Sequence, residues 1–310
     1  MYKIILILFI ISSCNFFEEK IGVGTLPTNI KNSSNINFLI TNHLRVSNTF
    51  KSDIFDKYIK IAKTQLGDSL IHIDLGGIES ETYKKNEYSF NYILFNANSD
   101  PASYTNEPGL INSNVKNVLF NLPILNEKSE PQYIIKKDDL EIGLLGMNIY
   151  NEKHSKKING IIFEDPTLNI LKNKDNLKDI NILALNIITH CQNLNQSYSM
   201  SSIDNSKNQI KCPENKTDNL EKTIKKIPPD LINIIITQSN FPFTGFIDET
   251  PVIGIPKNSP FIGIFSINKN SKEMRIYSPI KTCKYFARAS MTCIDDPDEI
   301  PASFLGKKVY

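Results

Sequence analysis

The sequence predicts an α/β domain with mostly parallel strand pairing. Apolar runs of four to eight residues recur along the chain, stretches with helical spacing separate several of them, and turn residues bound the runs. Strands and helices alternating in this way build a sheet whose strands run in the same direction.

Taken in order, residues 15–36 are polar, hold Gly22, Gly24, Pro27 and the Asn32 to Asn35 stretch, and carry neither a helical nor a strand period, so they read as a tether. Buried strands are expected at Asn37–Thr41, Leu70–Asp74, Asn91–Phe95, Val118–Leu122, Leu140–Met147, Ile180–Thr189 and Leu231–Thr237. Helices are expected at Ser52–Leu66, Pro166–Leu177 and Thr217–Ile227. The first places Ile54, Tyr58, Ile61, Ala62 and Leu66 on one face behind Ser52 as a cap. After Pro251 short strands, Val252–Ile255, Phe261–Ile267 and Met274–Tyr277, are separated by turn residues and are expected to pair antiparallel. His190 through Thr217 is long and polar, contains Cys191 and Cys212, and reads as an insertion loop. The chain shows no internal repeat.

The N-terminus has a secretory layout: Lys3, an apolar run from Ile4 to Ile11, then Ser12, Ser13 and Cys14. The run is far shorter than the roughly 20 residues that span a bilayer, so cleavage is expected. Ile11-Ser12-Ser13-Cys14 resembles the bacterial lipobox, in which the cysteine is lipidated and becomes the new N-terminus. Several acyl chains hold such a protein permanently, where one would hold it marginally. A secreted protein whose Cys14 merely falls near the cleavage point is the competing reading. Asn15 follows the cysteine in place of the aspartate that commonly retains lipoproteins at an inner membrane, which favours the outer membrane or cell surface. The expected organisation is a signal peptide at 1–13, a tether at 14–36, one large domain at 37–280 and an extension at 281–310.

The 35 Lys and Arg balance 33 Asp and Glu and are interspersed with them, which leaves no nucleic-acid footprint. With Cys14 lipidated, Cys191, Cys212, Cys283 and Cys293 remain, an even number for a compartment where disulfides persist. Sequence closeness favours Cys191 with Cys212 and Cys283 with Cys293. A zinc site competes weakly, since no pair has the short spacing such sites prefer, and haem attachment is excluded for want of Cys-x-x-Cys-His.

In an α/β fold, ligands and metals gather where strands end. Those junctions read Thr41-Asn42-His43-Leu44-Arg45, Asp74-Leu75-Gly76-Gly77, Phe95-Asn96-Ala97-Asn98-Ser99-Asp100, Thr189-His190 and Thr237-Gln238-Ser239-Asn240. Their order and spacing resemble the calcineurin-like metallophosphoesterases, and among these the N-terminal domain of the 5′-nucleotidase type, over roughly residues 37–267. That family carries T-N-D-x-H, D-x-G-D, G-N-H-E-F-D, a lone histidine and G-H-x-H at these places. The resemblance implies a layered αββα sandwich of two mixed sheets, here with a short C-terminal extension. Carried over position by position, it implies a degenerate metal site. The first motif's aspartate falls on His43 and its histidine on Arg45, the second motif's aspartate falls on Gly77, and the third motif's histidine falls on Ala97. Asn96 and His190 are kept, while the last two histidines fall on Gln238 and Asn240.

A two-metal hydrolase needs several ligands per ion and a bridging carboxylate. None of these positions supplies a carboxylate, and Arg45 would bring a permanent cation. His43, Asn96 and His190 could hold at most one weakly bound ion, and Ala97 offers no proton to a leaving group. Each residue also has an ordinary structural role open to it. His190 fits a hydrogen-bonded strand end, His43 and Arg45 a solvated loop, His72 a satisfied core position, and His154 an exposed turn. Asp74 fits a loop anchor, and the acidic run Asp295 to Glu299 a solvated turn rather than a calcium loop. With four histidines in the chain and neither Gly-x-Ser-x-Gly nor a phosphate-binding glycine loop, no other catalytic set assembles. The expectation is a membrane-tethered, non-catalytic binding or interaction protein without a cofactor, its protein or small-molecule partner unknown. The alternative is a residual phosphoesterase or 5′-nucleotidase-like hydrolase using a single divalent ion.

Overall fold

The computed structural model describes residues 34–42, 70–75, 133–148, 157–158, 161–162, 166–193, 208–213, 220–256, 259–281, 285–287 and 292–294. The predicted helix Ser52–Leu66, the predicted strands Asn91–Phe95 and Val118–Leu122, the expected signal segment with Cys14, and His154 lie outside the described residues. So do Cys283 and the acidic run from Asp295.

Two mixed sheets face each other. The first, four strands in the order β12-β11-β1-β2, comprises β1 (Asn35–Thr41), β2 (Leu70–Asp74), β11 (Phe261–Asn268) and β12 (Met274–Lys281). The second, six strands in the order β3-β4-β7-β8-β10-β9, comprises β3 (Tyr133–Lys137), β4 (Leu140–Asn148), β7 (Ile180–Thr189), β8 (Ile234–Ser239), β9 (Phe243–Ile247) and β10 (Thr250–Pro256). Two small ribbons pair β5 (Lys157–Ile158) with β6 (Ile161–Ile162), and β13 (Tyr285–Ala287) with β14 (Thr292–Ile294).

The core follows from isoleucine-rich strands that alternate between two apolar environments. Ile36, Phe38 and Ile40 of β1, Ile71 and Ile73 of β2, and Phe265 and Ile267 of β11 meet Ile142, Ile182, Ile236, Ile253 and Ile255 of the larger sheet in one buried cluster. Phe38 and Phe265 stack there at 4.3 Å with rings 4° from parallel, opposite one another in the ladder. The intervening residues of the larger sheet, Leu145, Leu183, Ile235 and Val252 among them, form a second cluster with Ile170 of α1 (Pro166–Lys172) and Leu220 and Ile224 of α2 (Leu220–Ile224). Helices therefore cover one side of the larger sheet and the smaller sheet covers the other. In the central strands β4, β7, β8 and β10 both faces are packed, which is why their sequences read as continuous apolar runs.

Two of the glycines that face close neighbours permit tight packing in the core. A Cβ at Gly263 would sit 2.6 Å from Ile253 Cγ2 across the sheets, and one at Gly254 would sit 2.2 Å from the Phe243 ring. The tight connections from β3 to β4 and from β9 to β10 turn at Asp138 (φ 55°) and Asp248 (φ 52°), a left-handed backbone that aspartate accepts better than most residues.

Leu70–Asp74 and Ile180–Thr189 form strands with the expected bounds. Two helices are shorter than expected. Helix α1 stops at Lys172, and its continuation, Lys174–Asn176, is 3₁₀. Helix α2 ends at Ile224, ahead of the Pro228-Pro229 pair. The expectation that every strand after Pro251 pairs antiparallel holds for β11 with β12 but fails for β10. That strand runs parallel to β8, Val252 opposite Ile235, and antiparallel only to β9. The chain leaves β8, places β9 at the sheet edge, and turns back so that β10 slots between them in the direction of β8.

Candidate functional site

Strands β4, β7, β8 and β10 run parallel, and so do β1 and β2. Their carboxyl ends are brought to one edge of the sandwich by a bond between the sheets, in which Asn42 Nδ2 donates to the carbonyl of Ile255 at 2.7 Å. Beside it, the amide of Leu75 donates to Thr41 O at 2.9 Å, which ties the end of β2 to the end of β1. On the larger sheet the amide of Asn240 donates to Thr189 O at 2.9 Å and joins the ends of β7 and β8. Ser239 Oγ donates to Phe241 O at 2.6 Å and turns the chain away.

Three of the predicted metal-site positions lie among the described residues, and all three follow or close the parallel strands of this edge. Gln238 is buried, 1% exposed. It continues the alternation of Ile234 and Ile236, which face the inter-sheet core, and stands opposite Ile255 in the ladder. It is thus next to the strand position whose carbonyl receives Asn42. His190 is half-buried and Asn240 exposed, each directly after its strand. His43, Arg45, Gly77, Asn96 and Ala97 lie outside the described residues.

Among the described residues, the buried atoms Asn42 Oδ1 and Thr189 Oγ1 at these strand ends have no hydrogen-bond partner. Sequence reading does not single out Asn42; the available signal is an amide shortly after the apolar run Phe38–Ile40, a place where a buried polar group must find a partner. His72, expected as a satisfied core histidine, is buried on β2, with Nε2 2.8 Å from Thr41 Oγ1. Burial holds its pKa down to about 3, so the ring is neutral. Asp74 closes β2; its proposed loop-anchoring side chain lies outside the described residues.

Directly after His190, Cys191 is bonded to Cys212, the pairing favoured by closeness in sequence. Cys293 sits in β14 opposite Phe286, and its expected partner Cys283 is outside the described residues.

This pair of mixed sheets, with helices packed on the larger one and polar residues gathered where the parallel strands end, is a metallophosphoesterase-like fold. It is shared with a putative 5′-nucleotidase from Staphylococcus aureus, at a TM-score of 0.53 and 11% identity over 80% of this chain and 54% of that one. A phosphatase from Mycoplasma pneumoniae matches at a TM-score of 0.50 and 10% identity over 80% of this chain and 94% of the other. The chain therefore spans about half the length of the nucleotidase. No family model matches the chain, and no curated protein matches it by sequence.

A fold of this kind implies a two-metal centre. At the predicted metal-site positions the described donors are one imidazole, His190, and two carboxamides, Gln238 and Asn240. They do not fit such a centre, because carboxamides are weak neutral ligands and cannot bridge two cations. Among the described residues, no three His, Cys, Asp or Glu side chains gather closely enough to hold a metal ion.

Proposed function

We propose that this chain is a bacterial lipoprotein, lipidated on Cys14 and held at the outer side of a membrane, whose metallophosphoesterase-like domain binds a partner and hydrolyses nothing. The observation that carries the reading is the chemistry at the ends of β7 and β8, where His190 stands with the carboxamides Gln238 and Asn240. His43, Arg45, Gly77 and Ala97, at the other positions of the resemblance, supply no carboxylate either, and Arg45 adds a cation. The Cys191–Cys212 bridge supports an oxidising compartment outside the cytoplasm, and Asn15 favours the outer membrane or cell surface. The partner, a protein or a small molecule, is open, because folds host many functions.

The test is to measure metal content and the hydrolysis of a nucleoside monophosphate and an aryl phosphodiester on the purified chain. Substoichiometric metal and no turnover are expected. Stoichiometric metal with turnover that is lost in His190→Ala would overturn the reading. The address is tested separately: the membrane-extracted chain should carry acyl mass on its N-terminal peptide, and Cys14→Ala should release it from the membrane fraction. A wild-type chain without acyl mass would remove the lipid anchor.

The half-buried position of His190 at the shared edge favours one second reading, a residual hydrolase holding a single divalent ion at His43, Asn96 and His190. The same metal measurement decides between the two.

A further inference from the structure

The connection from β8 to β9 stands at the carboxyl edge, the side on which α/β folds bind their ligands. Its backbone is pinned on both sides of one residue. The amide of Asn240 donates to Thr189 O at 2.9 Å and Ser239 Oγ donates to Phe241 O at 2.6 Å. Pro242 then fixes its own φ, and Phe243 is fully buried. Between these anchors Phe241 is held out 52% exposed, the only aromatic residue exposed among the described ones. A polar residue in this place would spare the fold that apolar exposure. Beside it Asn240 is exposed too, and its side chain makes no hydrogen bond to the described residues. A ring and a carboxamide, both uncommitted, are thus presented side by side in the chain on a backbone that the neighbouring strand end holds in place.

We propose that Phe241 and Asn240 are the recognition pair of this edge and that their ligand is an uncharged sugar ring, Phe241 lying against its C–H face and Asn240 bonding two adjacent hydroxyls. This rests on the reading of the chain as a binding protein that hydrolyses nothing. The local chemistry selects the ligand. From Gln238 to Phe243 the chain has no acidic or basic side chain, so this connection offers a charged group no charged partner. A carboxamide offers donors and an acceptor together, the set that two neighbouring hydroxyls satisfy, each giving and taking a bond. An aromatic face is partly negative and receives the polarised C–H groups of a saturated ring. A flat heterocycle would gain from a second ring across from the first, and among the described residues no second aromatic is exposed. A protein partner covers roughly 800 Å² on each side around several anchors, whereas the described part of this edge displays one.

The test titrates the full chain with maltotriose, chitotriose and lactose, read by saturation-transfer NMR, with adenosine as the flat-ring control. Binding of at least one sugar is expected, saturation falling on the C–H protons of one ring face. Phe241→Ala should weaken it about tenfold or more and Asn240→Ala several-fold, while Phe241→Tyr keeps it. Both side chains are exposed, so the variants should melt with the wild type, which separates lost binding from lost folding. Three results overturn the proposal: no sugar binds, a sugar binds Phe241→Ala as well as wild type, or adenosine alone binds through Phe241. Metal content and phosphoester turnover are measured on the same preparation. Metal-dependent turnover overturns the non-catalytic reading whatever the sugars do, and an inert chain that ignores all three sugars loses the sugar assignment alone.

Discussion

Asn42 and Ile255, 213 residues apart, join the two sheets at their carboxyl edge through a bond of 2.7 Å from the Asn42 amide to the Ile255 carbonyl. With Asn42 only 2% exposed, little water can replace that donor. Asn42→Ala should destabilise the chain by about 1–3 kcal/mol, the cost of leaving a buried acceptor unpaired. Asn42→Asp should cost more, because a carboxylate cannot donate to a carbonyl and a buried charge is added. Urea unfolding of the three proteins checks the order; equal midpoints for wild type and Asn42→Ala would remove the bond from the account of how the sheets are held.

His72 makes stability pH-dependent. Its pKa is about 3 in the folded chain against an ordinary 6.5, so the unfolded chain binds the extra proton between those values. The associated stability is fully present above pH 6.5 and is lost as pH falls toward 3, at about 1.4 kcal/mol per pH unit in the middle of that range. His72→Gln keeps an amide within reach of Thr41 and cannot titrate there. The difference in unfolding free energy between wild type and variant should therefore slope with pH from about 6 to 4, and parallel curves would refute the assignment.

Gly254 lies beneath the ring of Phe243, its partner in the β9–β10 ladder. A methyl group at 2.2 Å from that ring forces one of them to move, and overpacking of this kind costs about 1–3 kcal/mol. Gly254→Ala should be destabilised accordingly, and Phe243→Leu in the same chain should cost less than it does alone. Additive effects in the double-mutant cycle would show that the two do not touch.

Phe38 and Phe265 stack between the sheets, each fully buried. Phe38→Ala should lower the unfolding free energy by about 3–5 kcal/mol, while Phe38→Leu should recover most of the loss. A thermal scan in which Phe38→Ala melts with the wild type would contradict the central place given to this pair.

The strands that sequence reading recovers are those whose residues form a near-continuous apolar run. Ile180–Thr189 is such a strand, and so is Leu70–Asp74. The strands it misses sit at edges. Tyr133–Lys137 buries only Ile135 of its five residues, and Phe243–Ile247 is interrupted by Gly245, so neither shows a run. Leu231, apolar enough to suggest the start of a strand, instead donates its amide to Pro228 O in a turn, and β8 begins three residues later at Ile234. For the candidate site, strand ends locate His190, Gln238 and Asn240 in the sequence. That the ends share one edge depends on Asn42 meeting Ile255 across the sheets, a contact on which no local pattern bears. Local spacing does favour Cys191 with Cys212, because the two stems of one loop begin and end together.

The first strand of the smaller sheet, Asn35–Thr41, lies between β2 and β11, and its antiparallel partner is Phe261–Asn268. Asn35 is opposite Asn268, so the earliest described strand to leave a ribosome waits for one of the last before its ladder can close. Loop closure over such a span slows folding, and a chain interrupted before residue 261 would hold Phe38 without the ring it stacks on. The smaller sheet is therefore closed only after residues 261–268 have been made, which sets the docking of Phe38 on Phe265 late in the folding of the described core.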